Sequence, residues 1–332
     1  MMMRVILIIA CFLMMTLRTA LAEDSARFSL PIDCVVGETC FLQNLADFDQ
    51  ETNAISDTIC GQDTYNNHKG IDIRVLSLKE TEKGVNVLAM ADGIVRGFRD
   101  EITDRLVGRE GLAPALKGRE CGNGVVIEHG QGLSAQYCHM KRGSLNVRKG
   151  QTVSRGDVLG EVGVSGFSAF PHIHLALRLN GKLVDALSGA PLEVKSCLSQ
   201  GVVSGYFGRK TLEALLESRD DILQIGLADK AFSKDVLVQG NVPPIPTMQS
   251  NAIVGWGWAI NAHKGDQMRI AIENEAGVFH EKTSDPLSRR KAVIFNFSGR
   301  KITPKAGTYT LTVTLIRDGQ VIEKKSDVFQ VN

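Results

Sequence analysis

His172-Ile173-His174 is the feature of this chain with the clearest capacity for chemistry. On a strand, side chains two apart point to the same face. A rise of ~3.3 Å per residue sets the bases of the two imidazoles ~6.6 Å apart, so both can reach one small site. Two surface histidines on a solvated strand would share that spacing, so the pair alone decides nothing. His68-Lys69-Gly70-Ile71-Asp72 adds a further imidazole and, four residues on, a carboxylate, with a flexible glycine between them. Zinc takes histidine nitrogen and carboxylate oxygen at ~2.0–2.2 Å, and catalytic zinc sites use three protein ligands plus water. One histidine of the HxH pair, His68 and Asp72 meet that need. His68, His129, His139, His172 and His174 all fall in one stretch of the chain, which leaves further imidazoles beside the ligands. No HExxH glutamate is present, so neutral histidine, titrating near pH 6.5, is the candidate proton carrier.

The elements that must hold these residues read as short strands broken by glycine turns. Val85 to Ala89, Gly93 to Arg96, Val125 to His129 and Leu133 to His139 are strand-like. His172 to Leu179 alternates, with Ile173, Leu175, Leu177 and Leu179 on one face, as in a half-buried antiparallel strand. Leu212, Leu215, Leu216, Ile222 and Ile225 give Thr211 to Ile225 a helical pattern, read as a helix packed on the preceding domain. Val242-Pro243-Pro244-Ile245-Pro246 reads as a stiff linker. Beyond Thr247 the pattern is strand again: Met268, Ile270 and Ile272 alternate, as do Tyr309, Leu311, Val313 and Leu315, and Asp318-Gly319 marks a two-residue hairpin. Six or seven short strands with a tyrosine opening a late one predict an immunoglobulin-like sandwich. His263 and His280 stand alone there, and nothing in that region looks catalytic. The predicted fold class is therefore mainly β, an antiparallel β catalytic domain, a short helical connector and a C-terminal immunoglobulin-like β-sandwich. The division is 1–22 signal peptide, 23–195 peptidase domain with its motifs in 60–185, 196–246 connector and linker, and 247–332 accessory sandwich.

Over residues 60–185 the sequence resembles the lysostaphin-type, or LytM-type, zinc endopeptidases of bacterial cell walls. The motifs that carry the resemblance stand in order as His68-Lys69-Gly70-Ile71-Asp72, Tyr137-Cys138-His139-Met140 and Pro171-His172-Ile173-His174. Gly122-Asn123-Gly124, His129-Gly130 and the glycines at 150 and 156 fit as well. The resemblance implies one Zn2+ held by His68, Asp72 and His174, with His139 and His172 beside the metal water as proton-transfer and transition-state groups. It implies a groove flanked by loops, for which Phe98 to Glu120 is a candidate, and it supplies the substrate, the peptide cross-links of peptidoglycan. Cys138, Met140 and Ser168-Ala169-Phe170 depart from the family pattern. None of them removes a ligand, and Phe170 is placed to reshape one rim of the groove. His129, before a glycine turn, reads as structural. Asp47 to Asn53 imitates a calcium loop but has Thr52 where glycine is needed and Thr58 where the bidentate glutamate is needed.

Arg4, the apolar Val5 to Leu17 and the small-x-small Ala20-Leu21-Ala22 have the layout of a cleaved signal peptide. The apolar run of about 13 residues is short of the roughly 20 that a membrane span needs. This predicts export to the periplasm or beyond, with no stable transmembrane anchor. Cys11 leaves with the signal, and Cys34, Cys40, Cys60, Cys121, Cys138 and Cys197 remain for an oxidising compartment, enough for three disulfides. The expected pairing is 34–40, 60–121 and 138–197. A formal net charge of +1 gives no electrostatic case for nucleic acid. Two rivals stand beside the enzyme. One is a non-catalytic regulator that binds and activates another wall hydrolase, and the intact ligand and histidine set argues against it. The other is an enzyme whose residues 23–60 cover its own groove. The sandwich is free to orient the enzyme on the wall or to bind a protein partner.

Overall fold

A computed structural model describes residues 27–49, 54–107, 114–193, 197 and 205–332. The signal segment, Cys11, part of the calcium-like loop and the tip of the expected groove loop lie outside the described residues. Ten strands build the first unit: β1 (Cys40–Asn44), β2 (Ile71–Val75), β3 (Asn86–Leu88), β4 (Gly93–Arg99), β5 (Asn123–Glu128), β6 (Leu133–Met140), β7 (Thr152–Val153), β8 (Val158–Glu161), β9 (His172–Leu179) and β10 (Lys182–Val184). They form a sheet in the order β1-β2-β9-β6-β5-β4-β7, with β10 on β9 and β3–β8 as a separate pair. The pairings are antiparallel, so alternate residues of each strand face one side. Ile71, Ile73, Ile173, Leu175 and Leu177 fill one face of the core, whereas Leu179, expected on the same face, is exposed at the end of its strand.

Short helices α1 (Leu78–Lys83) and α2 (Arg209–Glu217) flank this sheet. Leu212 and Leu215 of α2 join its core together with Phe28 and Ile32 from the N-terminal segment. The expected helix stops at Glu217. Ile222 and Ile225 belong instead to strand β11 (Ile222–Ala228), which pairs with β12 (Ile253–Ala262). Pairing along β12 and burial of Ile222 and Leu223 at 0% and 5% exposure outweigh the helical spacing.

The second unit continues with α3 (Lys234–Val238) and strands β13 (Gln267–Asn274), β14 (Gly277–Thr283), β15 (Lys291–Arg300), β16 (Gly307–Arg317) and β17 (Gln320–Val331). The sheets β11-β12-β15 and β14-β13-β16-β17 pack as a sandwich around Met268, Ile270, Leu311 and Val313. Asp318 and Gly319 both adopt positive φ, 50° and 78°, as the expected hairpin turn requires. The Tyr309 hydroxyl donates to the Lys305 carbonyl at 3.2 Å, a tyrosine-corner bond.

Strand β12 is buried along its whole length because both its faces are covered. Its run Gly255-Trp256-Gly257-Trp258 explains how. A side chain on Gly255 or Gly257 would collide with Leu311 or Val313 of the facing sheet. Trp256 and Trp258 turn the other way and cluster with Phe41 of β1. The sandwich is thereby docked on the edge of the first sheet. The Asn261 amide donates to the Gln43 carbonyl at 2.7 Å, and Arg290 pairs with Asp63 at 3.2 Å.

The described cysteines form three disulfides. Cys34–Cys40 is as expected, whereas the other two pairs are Cys60–Cys197 and Cys121–Cys138. The β5–β6 hairpin corrects the expected 60–121 and 138–197 pairing. Its register sets Asn123 opposite Met140, which carries Cys121 to a Cα separation of 4.8 Å from Cys138.

Candidate metal centre

Asp72 on β2 and His174 on β9 are direct cross-strand partners, and Arg74 is likewise opposite His172. The polar face of these two strands is therefore a patch of four functional side chains. His68 enters from the turn before β2. Gly70 makes that approach feasible, since any side chain there would run into the Leu175 backbone. His68 Nε2, Asp72 Oδ1 and His174 Nδ1 form a triangle with edges of 3.1, 3.1 and 2.8 Å. Neighbouring ligand atoms around a tetrahedral ion with ~2.0–2.2 Å bonds are separated by roughly 3.3–3.6 Å, so small adjustments would seat such an ion. His68 and Asp72 are each 1% exposed, and the His174 side chain is 14% exposed, which leaves one open side.

The remaining atoms of these residues are fixed from β1 and its continuation. His68 Nδ1 donates to the Leu45 carbonyl at 2.6 Å, which directs Nε2 at the triangle. Asn44 Nδ2 donates to Asp72 Oδ2 at 2.8 Å and leaves Oδ1 facing the histidines. Such outer hydrogen bonds orient metal ligands and tune their basicity. Within the segment 23–60, Cys40–Asn44 is thus a strand of the sheet, and Asn44 and Leu45 support the site. Burial disfavours the Asp72 charge, but His68 and His172 and the hydrogen bonds outweigh it and hold the carboxyl well below its ordinary range. Burial likewise opposes a charge on His68, yet Asp72 raises its pKa overall.

His139 and His172 complete the constellation with ring centres 4.6 Å apart. His139 occupies a bulge in β6: its φ is +63°, and two residues there oppose one on β5. That left-handed conformation is uncommon for a side chain with a Cβ and re-aims the ring toward the cluster. Its Nδ1 donates to the Ser165 carbonyl at 2.8 Å. His172 Nδ1 donates to the Phe170 carbonyl at 2.7 Å, and its Nε2 lies 3.5 Å from Asp72 Oδ1. Burial, then repulsion by His172 and His174, pushes the His139 pKa well below the ordinary histidine value, and burial lowers that of His172. Both shifts favour the neutral ring.

His129 does not join them: Nδ1 donates to the Asp92 carbonyl at 2.8 Å and the ring packs near Phe28. His263, read as isolated, sits with Asp63 and Asp220 in a second cluster with metal-like spacing. Arg219, Arg290 and Arg317 already neutralise those acids, so this cluster is an ion-pair lock between the two units. His280 bonds Ser298 at 2.7 Å. Sequence reasoning missed Asn44 and Leu45, which carry no metal-ligand signature, and Arg74, whose position two residues beyond Asp72 was the one signal to find it by.

Residues 66–186 match the model of peptidase family M23. Among curated relatives, the peptidoglycan DD-endopeptidase ShyA of Vibrio cholerae is 33% identical over 103 residues, covering 31% of this chain and 23% of the relative. The DD-carboxypeptidase/endopeptidase Mpg of Neisseria meningitidis is 31% identical over 129 residues, 38% of this chain and 24% of the relative. The matches thus span about a quarter of the length of these relatives. Among solved structures, the catalytic domain of lysostaphin from Staphylococcus simulans is 22% identical, covers 35% of this chain and 69% of that one, and superposes with a TM-score of 0.25. The HxxxD, YxH and HxH motifs all lie within the stretch, residues 66–186, that matches the model of peptidase family M23.

Proposed function

We propose that this protein is an exported zinc endopeptidase that hydrolyses peptide cross-links of bacterial peptidoglycan. The observation that carries the reading is the convergence of His68, Asp72 and His174 from two strands and a turn. The names of the M23 relatives, DD-endopeptidase and DD-carboxypeptidase, support the substrate class. His68, Asp72 and His174 would hold the ion. Zinc supplies a Lewis acid that polarises a carbonyl and makes water nucleophilic near neutral pH.

The chain's own residues do the proton work. His139 and His172 each commit Nδ1–H to a backbone carbonyl, which leaves Nε2 unprotonated. A neutral Nε2 accepts a proton from the attacking water as its oxygen bonds the scissile carbonyl carbon. The C–N bond then breaks, the proton passes to the departing amine, and the water oxygen remains in the new carboxylate. Burial favours the neutral form of both rings, the form that can accept a proton.

Export is supported by the signal-like residues 1–22 and by the disulfides. Among the described residues no helix is long and apolar enough to cross a membrane. The deciding experiment is digestion of purified peptidoglycan by the zinc-loaded mature protein. New amino groups without new reducing sugar are expected. New reducing sugar, or no release of either kind, would refute the proposal.

A further inference from the structure

Arg74 shares its strand face with Asp72 and lies directly across from His172. It is 1% exposed. Its Nη1 donates to Gln43 Oε1 at 2.6 Å, while Nε and Nη2 have no hydrogen-bond partner among the described residues. Its guanidinium stacks between Phe170 at 5.0 Å and Trp258 of the sandwich at 4.8 Å. A buried cation without an anion is costly, and burial of this kind is retained where a ligand supplies the counter-charge.

Arg74 borders a cavity of about 500 Å³ whose walls also include Asp72, His172, Tyr65, Phe170 and Trp258. The cavity therefore runs from the candidate metal centre to the guanidinium, and the C-terminal unit closes one side. Two other cations border it, but Arg290 is matched by Asp63 and Lys234 by Asp235. Arg74 has no such acid among the described residues. Along β2, Asp72 and Arg74 are separated by ~6.6 Å. One residue of extended chain spans about 3.5 Å, and a contact at each end completes the distance.

We propose that this cavity is a carboxylate subsite in which Arg74 binds the free carboxylate of the residue on the amine side of the scissile bond. The planar guanidinium fork suits a carboxylate, and the apolar walls exclude competing water. The assignment rests on the peptidase reading and narrows it to peptide bonds one residue away from a free carboxylate, including those that join a terminal D-amino acid.

The test compares a blocked tripeptide ending in D-Ala-D-Ala with the same tripeptide amidated at its C-terminus, using the zinc-loaded full chain. The acid should be cleaved with a kcat/KM about 10–100-fold above that of the amide, the usual worth of a charge-assisted pair. Arg74→Gln should abolish the preference by slowing the acid alone. Equal cleavage of both peptides by wild type would overturn the subsite and leave the peptidase intact, and this comparison needs no variant. Equal loss on both peptides in Arg74→Gln would also overturn it, since that marks a purely structural arginine. Calorimetry with N-acetyl-D-alanine and its amide probes the subsite without turnover. Tighter binding of the acid in wild type, lost in Arg74→Gln, supports the subsite even if neither tripeptide is cut, a result that would fault the peptidase reading alone. Equal binding of acid and amide overturns it.

Discussion

Asn44 donates from Nδ2 to Asp72 Oδ2 at 2.8 Å, across 28 residues of sequence and between adjacent strands of the sheet. The bond occupies one carboxylate oxygen and leaves Oδ1 between His68 and His174. Asn44→Ala should therefore weaken zinc binding by about 10–100-fold while the protein stays folded. Competition with a chromogenic chelator measures the affinity. An unchanged constant would show that Asp72 is oriented without this amide.

Removing a ligand should act more severely than removing its support. Asp72→Ala and His174→Ala each leave two donors where three are needed, so both variants should lose zinc and wall-digesting activity together. Elemental analysis of purified protein reads the metal directly. Full occupancy in either variant would refute the ligand assignment.

The ligand motifs were legible because a strand turns sequence spacing into direction. His172 and His174 differ by two, and Asp72 follows His68 through a turn that only glycine fits, so both pairs had to present their side chains together. The register that sets Asp72 opposite His174 is non-local and was not readable. Asn44, Leu45 and Trp258 were hidden for the same reason: their roles arise from strand β1 and from a second unit far along the chain. The helical reading of Ile222 and Ile225 failed because pairing with β12 overrode local spacing. The cysteine pairing depended on hairpin register, which their number does not encode.

The disulfides make a chemical prediction. The mature protein should show no free thiol under denaturing conditions, and peptide mapping should recover Cys60 linked to Cys197 and Cys121 linked to Cys138. Cys60→Ser together with Cys197→Ser opens a link across 137 residues and should cost roughly 2–5 kcal/mol of stability. Two or more titratable thiols in the wild type would rule out the three-bridge arrangement.

The lock between the two units should respond to pH. His263 Nε2 lies 3.8 Å from Asp63 Oδ1 and 4.0 Å from Asp220 Oδ1, and the attraction of Asp63 raises its pKa despite partial burial and the nearby Arg317. A raised folded pKa means that the stabilisation is complete below the unfolded value near 6.5 and is lost as pH rises through the folded value. The effect is small because the side chain is 40% exposed. His263→Gln should flatten the fall of Tm with pH just above about 6.5 relative to wild type. Parallel curves for the two proteins would remove His263 from the lock.

His139 separates an enzyme from a regulator of another wall hydrolase. It faces the cluster but is absent from the ligand triangle, so His139→Ala should keep its zinc. Its turnover should fall by about 10²–10⁴, the worth of a positioned acid or base. The residue is 7% exposed, holds the Ser165 carbonyl and adopts φ +63°, so the alanine variant risks a local fold defect. His139→Asn is the control, since asparagine tolerates the left-handed conformation and lacks a titrating nitrogen. Both variants should bind zinc and fail to release amino groups from peptidoglycan, and His139→Asn should melt close to wild type. A regulator predicts a different pattern, in which wild type and both variants are inert alone and stimulate a separate hydrolase equally. That pattern would overturn the peptidase reading, because it would show that the histidine set does no chemistry.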